Sequence, residues 1–229
     1  MNEKCLLCNR NLNYKIDLEW LFSVAKIQEQ FICEDCQKRF VKIEGSTCLG
    51  CGKIQANLCA DCQKWQQKKK KLLHNKALYV YQNQAMKEFF KQYKFMGNYH
   101  LRKIFQAEFE EAIQKKYSAK KWIYVPIPVD QETAHTRMFN QVKGLVENLP
   151  LCECLKMQDM HKRIKQSHKK REERLRTKQP FKLSTKFEAK QKNILLIDDI
   201  YTTGQTLYHA QELFLKANAN QVCSMTLGR

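Results

Sequence analysis

The sequence predicts an α/β domain built on a parallel sheet and headed by a small cysteine-rich module that binds metal. Three observations predict it. Eight of the eleven cysteines lie in the first 62 residues, as four Cys-x-x-Cys pairs. From residue 78 onward, short apolar runs alternate with stretches of helical periodicity, the order in which the strands and crossover helices of a parallel sheet occur. Residues 194–207 (Ile-Leu-Leu-Ile-Asp-Asp-Ile-Tyr-Thr-Thr-Gly-Gln-Thr-Leu) set four aliphatics, two carboxylates and a hydroxyl-rich glycine turn ahead of an amphipathic stretch.

The cysteine pairs are Cys5/Cys8, Cys33/Cys36, Cys48/Cys51 and Cys59/Cys62. This spacing lets two thiolates of one tight turn hold a tetrahedral metal, so two pairs close a four-sulfur shell and four pairs suggest two zinc ions. A closed shell leaves no open position for water, which makes the zinc structural rather than catalytic. Redox chemistry is the alternative, but four copies without a thioredoxin-like pattern argue against it. Sequential pairing would close Cys5, Cys8, Cys33 and Cys36 around a 24-residue insert and Cys48, Cys51, Cys59 and Cys62 around a 7-residue knuckle. An interleaved cross-brace is the other solution. The short knuckle favours the first, because it costs little loop entropy. Cys152, Cys154 and Cys223 sit among apolar residues and read as small buried hydrophobes.

The chain divides into a double four-cysteine zinc-ribbon module over 1–64, a basic linker over 65–77 and a sheet domain over 78–229. Leu78–Tyr81 reads as a strand. Met86, Phe89, Phe90 and Tyr93 mark one helix, and Leu101, Ile104, Phe105, Phe109, Ala112 and Ile113 a second. Lys94, at the end of the first helix beside Gly97, reads as a C-terminal cap. The strand beginning at Trp122 is ended by Pro126 and Pro128, and residues 129–137 then form a loop. Phe139, Val142, Val146 and Leu149 stripe a helix opened by Arg137, and Cys154–Met157 is a further strand. Ile194–Asp198 and Val222–Leu227 supply the last two.

Hydrophobic content of 43% is adequate for a core, and no run approaches the roughly 20 apolar residues of a membrane span. With no basic-then-apolar leader at Met1, a cytoplasmic location is expected. Net charge is +18. Lys68, Lys69, Lys70 and Lys71 form one cluster. Residues 161–178 form another, nine Lys/Arg against two Glu, with almost no apolar residues to make a core face. Such an excess points to polyanions, although a charge run can be a solvated face.

The strand over 194–198 would carry Asp198 and Asp199 to the carboxyl edge of the sheet. The following turn would bare backbone N–H groups at a helix N-terminus, where a phosphate can sit. Carboxylates accept hydrogen bonds from sugar hydroxyls, while Thr202, Thr203 and Thr206 can donate to phosphate oxygens. A ribose 5-phosphate satisfies both. The plainer alternative is that the acids cap the next helix. The order of elements resembles the phosphoribosyl-pyrophosphate (PRPP) signature of type I phosphoribosyltransferases at Leu195–Ile197, Asp198, Asp199, Thr202, Thr203, Gly204 and Thr206. That resemblance implies a type I phosphoribosyltransferase-like sheet and a PRPP site of Asp198, Asp199, Tyr201, Thr202, Thr203, Gly204, Gln205 and Thr206.

Adding the four cysteine pairs, Tyr93-Lys94-Phe95-Met96-Gly97, Val125-Pro126-Ile127-Pro128, Arg137–Gln141 and the basic stretch from Gln166 to Phe181, the chain resembles the ComF family of ComFC-type late competence proteins over nearly its whole length. The resemblance implies DNA uptake in natural transformation, single-stranded DNA and a ComFA-like DEAD-box ATPase (a helicase partner) as partners, PRPP or a nucleotide as ligand, and recruitment to the membrane DNA-uptake machinery. Candidate DNA contacts are Lys68, Lys69, Lys70, Lys71, Arg163, Lys165, Lys169, Lys170, Arg171 and Arg174. The alternative is an active phosphoribosyltransferase binding Mg2+-PRPP, with Asp198, Asp199, Arg171 and Arg174 as catalytic candidates. Two departures stand out. The family writes Gly where this chain has Met138, so the start of that helix is expected to differ. Its loop after Val-Pro-x-Pro is usually basic, whereas Asp130 and Glu132 here would repel an anion unless Mg2+ intervenes.

Overall fold

The computed structural model describes residues 4–12, 29–68, 70–158 and 179–229. Four strands form one wholly parallel sheet: β1 (His74–Tyr79), β2 (Ile123–Pro126), β5 (Asn193–Ile200) and β6 (Gln221–Gly228), in the order β1-β6-β5-β2. Burial on both faces is written into the strands. In β5, Leu195 and Ile197 point to one side and Ile194 and Leu196 to the other, and all four are fully buried.

One face is covered by α3 (Gln84–Phe95), a 3-10 segment (Tyr99–Ile104), α4 (Gln106–Lys116) and α6 (Gln141–Leu145). Their apolar stripe packs Met86, Phe89, Tyr93, Phe109 and Val142 onto Leu195, Ile197 and Met225. The other face is covered by α7 (Gln205–Lys216), through Leu207, Ala210 and Phe214. Among the described residues the remaining helices are α1 (Glu34–Lys38), α2 (Ala60–Gln67) and α5 (Gln131–Arg137).

Several expectations shift. The first strand begins at His74, inside the stretch read as a linker, because Leu73 and Asn75 find partners in the cysteine module: Asn75 N–H donates to Gly50 O (2.7 Å) and its Nδ2 to Cys51 O (3.1 Å). Residues 131–137 are helical rather than a loop, since Asp130 caps them, accepting from Thr133 N at 2.8 Å. The strand near 154–157 is β3 (Leu155–Met157). It leaves the main sheet and pairs antiparallel with β4 (Phe181–Leu183). Cys154 and Cys223 are buried as expected, while Cys152 is half-buried.

The cysteines gather sequentially, not as a cross-brace: Cys5, Cys8, Cys33 and Cys36 in one cluster, and Cys48, Cys51, Cys59 and Cys62 in the other, with ligand atoms of each within 4.8 Å of one another. Both clusters are built into the fold. The first shares a core with Phe40, Tyr79 and Phe105, the second with Leu73, Tyr208 and Phe214. Among the described residues no helix is long and apolar enough to cross a membrane.

Candidate functional site

Parallel sheets leave a crevice beyond the carboxyl ends of their strands. Here the crevice is a cavity of about 560 Å³ between the ends of β2 and β5, lined by Lys94, Ile127, Pro128, Asp130, Thr133, Arg137, Gln141, Asp198, Thr203, Gln205, Thr206 and His209, among others. Of the residues expected at the site, the structure brings Asp198, Thr203, Gln205 and Thr206 together at one wall. Asp199 takes a different place. It is buried behind that wall with Oδ2 2.7 Å from Lys94 Nζ, the two side chains only 6% and 15% exposed. Lys94 is thus the counter-ion of Asp199 rather than a helix cap.

Alternation along β5 explains the split, because neighbouring residues of a strand face opposite sides. Asp199 N–H donates to Asp198 Oδ1 at 2.9 Å. Burial, and next the negative charge of Asp199, push the Asp198 carboxyl well above the usual carboxylate range; the Asp199 N–H and Lys94 act in the opposite direction without prevailing. A carboxyl held above its ordinary pKa in a polar crevice marks a place where a hydrogen-bonding ligand is expected to gain.

The turn after β5 is shaped by Gly204, with φ +78 at the start of α7. A Cβ there would overlap the Tyr201 hydroxyl, so glycine is needed both for the dihedral and for the space. Tyr201 itself is 2% exposed and folds beneath the turn. It supports the loop from behind, and neither it nor Thr202 is among the residues lining the cavity. Sequence reasoning missed His209, Gln141 and Trp65. His209 could have been found, since it lies three residues after Thr206 on the same helical face.

A second cavity, of about 540 Å³, adjoins the first through Thr203, Gln205 and His209 and is bounded by Trp65, Lys68, Tyr208, Glu212 and Lys216. Trp65 stacks on Tyr208 with centroids 4.2 Å apart, and Lys68 Nζ lies 5.2 Å from the Trp65 ring centroid. Lys70 is ion-paired with Glu212, which Lys216 also holds at 2.9 Å. Hydrogen bonds from Lys70 and then Lys216 bring the Glu212 carboxyl down to about 2. Of the expected basic cluster, Lys68 and Lys71 are exposed and Lys70 is partly neutralised. Lys69, Arg163, Lys165, Lys169, Lys170, Arg171 and Arg174 lie outside the described residues.

The cysteine clusters fit a metal on their own chemistry. In the second, burial alone would raise Cys48, but N–H groups of Cys59, Cys51 and Gly50 outweigh it and bring the thiol down to about 7. Cys62 is driven upward by burial and by the neighbouring Cys51 charge. Four packed sulfurs, one already eased toward thiolate and one repelled from it, are a set that a divalent cation would neutralise.

The fold and site together define an α/β protein with two cysteine tetrads docked on its sheet and a carboxylate–threonine cavity at the sheet's carboxyl end. Along its whole length the chain resembles two competence proteins. It is 37% identical over 227 residues to Competence protein ComFC of Streptococcus pneumoniae (strain ATCC BAA-255 / R6), covering 99% of this chain and 100% of the relative. It is 34% identical over 236 residues to Competence protein ComFC of Bacillus subtilis (strain 168), covering 98% and 94%. The chain belongs to the ComFC family of competence proteins. No protein-family model matches it. Among solved structures, a hypoxanthine phosphoribosyltransferase from Staphylococcus aureus aligns with a TM-score of 0.32 and 16% identity, over 56% of this chain and 62% of that one.

Proposed function

We propose that this protein serves competence by handling incoming single-stranded DNA, and that its crevice binds Mg2+-PRPP or a related nucleotide as a regulatory or structural ligand. The competence role rests on the two full-length ComFC relatives. The observation that carries the ligand is the convergence of Asp198 with Thr203, Gln205 and Thr206 on one wall of the 560 Å³ cavity. The carboxyl would accept from ribose hydroxyls, and the threonine hydroxyls and the backbone of the turn would donate to the 5-phosphate.

Exposed Lys68 and Lys71, with the basic segment around Arg163–Arg174, supply the charge for a strand's phosphates; a ComFA-like DEAD-box helicase is the partner this family resemblance suggests. The two tetrads would hold structural zinc. A salt titration of single-strand binding tests the DNA reading. Counterion release predicts a log–log slope of about −0.7 per phosphate neutralised, and a flat response would count against it.

One observation favours a second reading, an active phosphoribosyltransferase. The ligand cavity opens past His209 into the neighbouring cavity, where an acceptor could stand beside a bound phosphoribosyl group. Pyrophosphate release from Mg2+-PRPP across a panel of nucleobases and nucleotides decides it, and no release leaves the binding role.

A further inference from the structure

The turn from Tyr201 to Thr206 is held from behind by residues outside it. Trp65 Nε1 donates to Thr203 O at 3.1 Å. Arg229 Nη1 donates to Tyr201 O at 3.3 Å and to Thr202 O at 3.2 Å, with its guanidinium 5.0 Å from the Tyr201 ring centroid. Three successive carbonyls of the turn are therefore held by side chains.

Both side chains are tied to the second cysteine cluster. Trp65 lies on α2, whose N-terminal cap is Cys59 and which contains Cys62; Trp65 is the third residue after Cys62, so they share a helix face. The cluster thus fixes the direction in which the indole N–H points. Arg229 is anchored by its backbone to β1, its N–H donating to Tyr79 O at 2.9 Å, and its guanidinium faces the Cys51 sulfur.

We propose that Trp65 and Arg229 are positioning residues: they clamp the carbonyls of residues 201–203 against the Cys48/Cys51/Cys59/Cys62 module and so fix the donor face of the turn toward the cavity. A peptide plane whose carbonyl is held on one side presents its N–H on the other, and donors held in place bind an anion without first paying to order a loop. Burial and packing couple the two ends, since Trp65 also stacks on Tyr208 of α7. Whether the turn is ordered then depends on whether the cysteine module is.

Trp65→Phe keeps the ring on Tyr208 and removes only the N–H; Arg229→Gln shortens the second clamp. Amide hydrogen exchange on the full, metal-loaded chain without ligand should be faster in both variants at Tyr201 and Tyr208, whose N–H groups donate to Gly228 O and Gly204 O at the two ends of the turn, by roughly three- to tenfold for one lost hydrogen bond. Residues 194–197 and the bound metal content should be unchanged. In parallel, affinity for Mg2+-PRPP should fall by a similar factor. Unchanged exchange at Tyr201 and Tyr208 in both variants overturns the clamp. The clamp rests on geometry while its consequence rests on the ligand assignment, and the two fail differently. Faster exchange with no PRPP binding by the wild-type chain supports the clamp and removes PRPP as the ligand.

Discussion

Lys94 Nζ, which lines the cavity, and Asp199 Oδ2, which does not, form a buried ion pair at 2.7 Å beside Asp198. The pair keeps one of two adjacent carboxylates out of the cavity and supplied with a cation. Breaking such a pair on one side leaves an uncompensated buried charge. Lys94→Met is expected to cost roughly 3–5 kcal/mol in urea unfolding near neutral pH. Combining it with Asp199→Asn should recover much of that loss, so the double variant falls well short of the sum of the singles. Additive losses would mean the pair is not coupled.

Asp198 gives a pH dependence whose sign is fixed. Its carboxyl is pushed up to about 8 by burial first and by Asp199 second. Between the ordinary carboxylate range and that value the native state holds a proton that the unfolded chain has lost, so stability falls as pH rises through this window. Asp198→Asn should remove the slope and be more stable than wild type near pH 8. Ligand hydroxyls donate to the ionised form, so Mg2+-PRPP affinity should rise with pH over the same window in wild type. Thermal melts and titrations at pH 6, 7 and 8 check both signs.

Met138 adopts φ +61 and is 85% exposed, at the position where the family resemblance predicts an altered start of the helix. The backbone is left-handed here while the residue carries a side chain that disfavours it. Met138→Gly should be neutral or stabilising by up to ~1 kcal/mol, because strain relief offsets added unfolded-state entropy and little packing is lost. Met138→Val should cost about 1 kcal/mol or more, since a β-branched residue resists this φ. Equilibrium denaturation of the two variants measures both.

Metal removal should be felt by the whole molecule. The tetrads share cores with Phe40, Tyr79, Leu73 and Tyr208, and Asn75 joins the second knuckle to β1 and, through Thr226 and Ser224, to β6. Two zinc equivalents per chain are expected by metal analysis, and stripping them should lower the melting midpoint by roughly 10 °C or more. A chelated chain melting at the unchanged temperature would show that the sulfurs need no ion.

Much of this was legible in the sequence because the signals were local. Cys-x-x-Cys spacing marked the two tetrads, and a short knuckle favoured their sequential pairing. The Ile194–Leu207 order placed Asp198 and the turn at a sheet edge. What stayed hidden depends on tertiary contact. Nothing near Lys94 in sequence points to Asp199, because the pair forms only when α3 packs across the end of β5. Trp65 read as part of a linker, and Arg229 carried no motif, yet each reaches the turn by a route fixed by sheet pairing and by α2. The helix at Gln131–Arg137 was missed because its Asp130 cap was read as a charge facing an anion.

The most direct measurement is calorimetric titration of Mg2+-PRPP into the metal-loaded wild-type chain at pH 8, beside Asp198→Asn and Thr206→Val. One site per chain is expected in wild type, with affinity reduced roughly tenfold or more in each variant, as for losing a hydrogen bond to a charged group. Absence of binding by wild type, or equal binding by all three, would contradict the assignment of the Asp198–Thr206 cavity as a phosphoribosyl site.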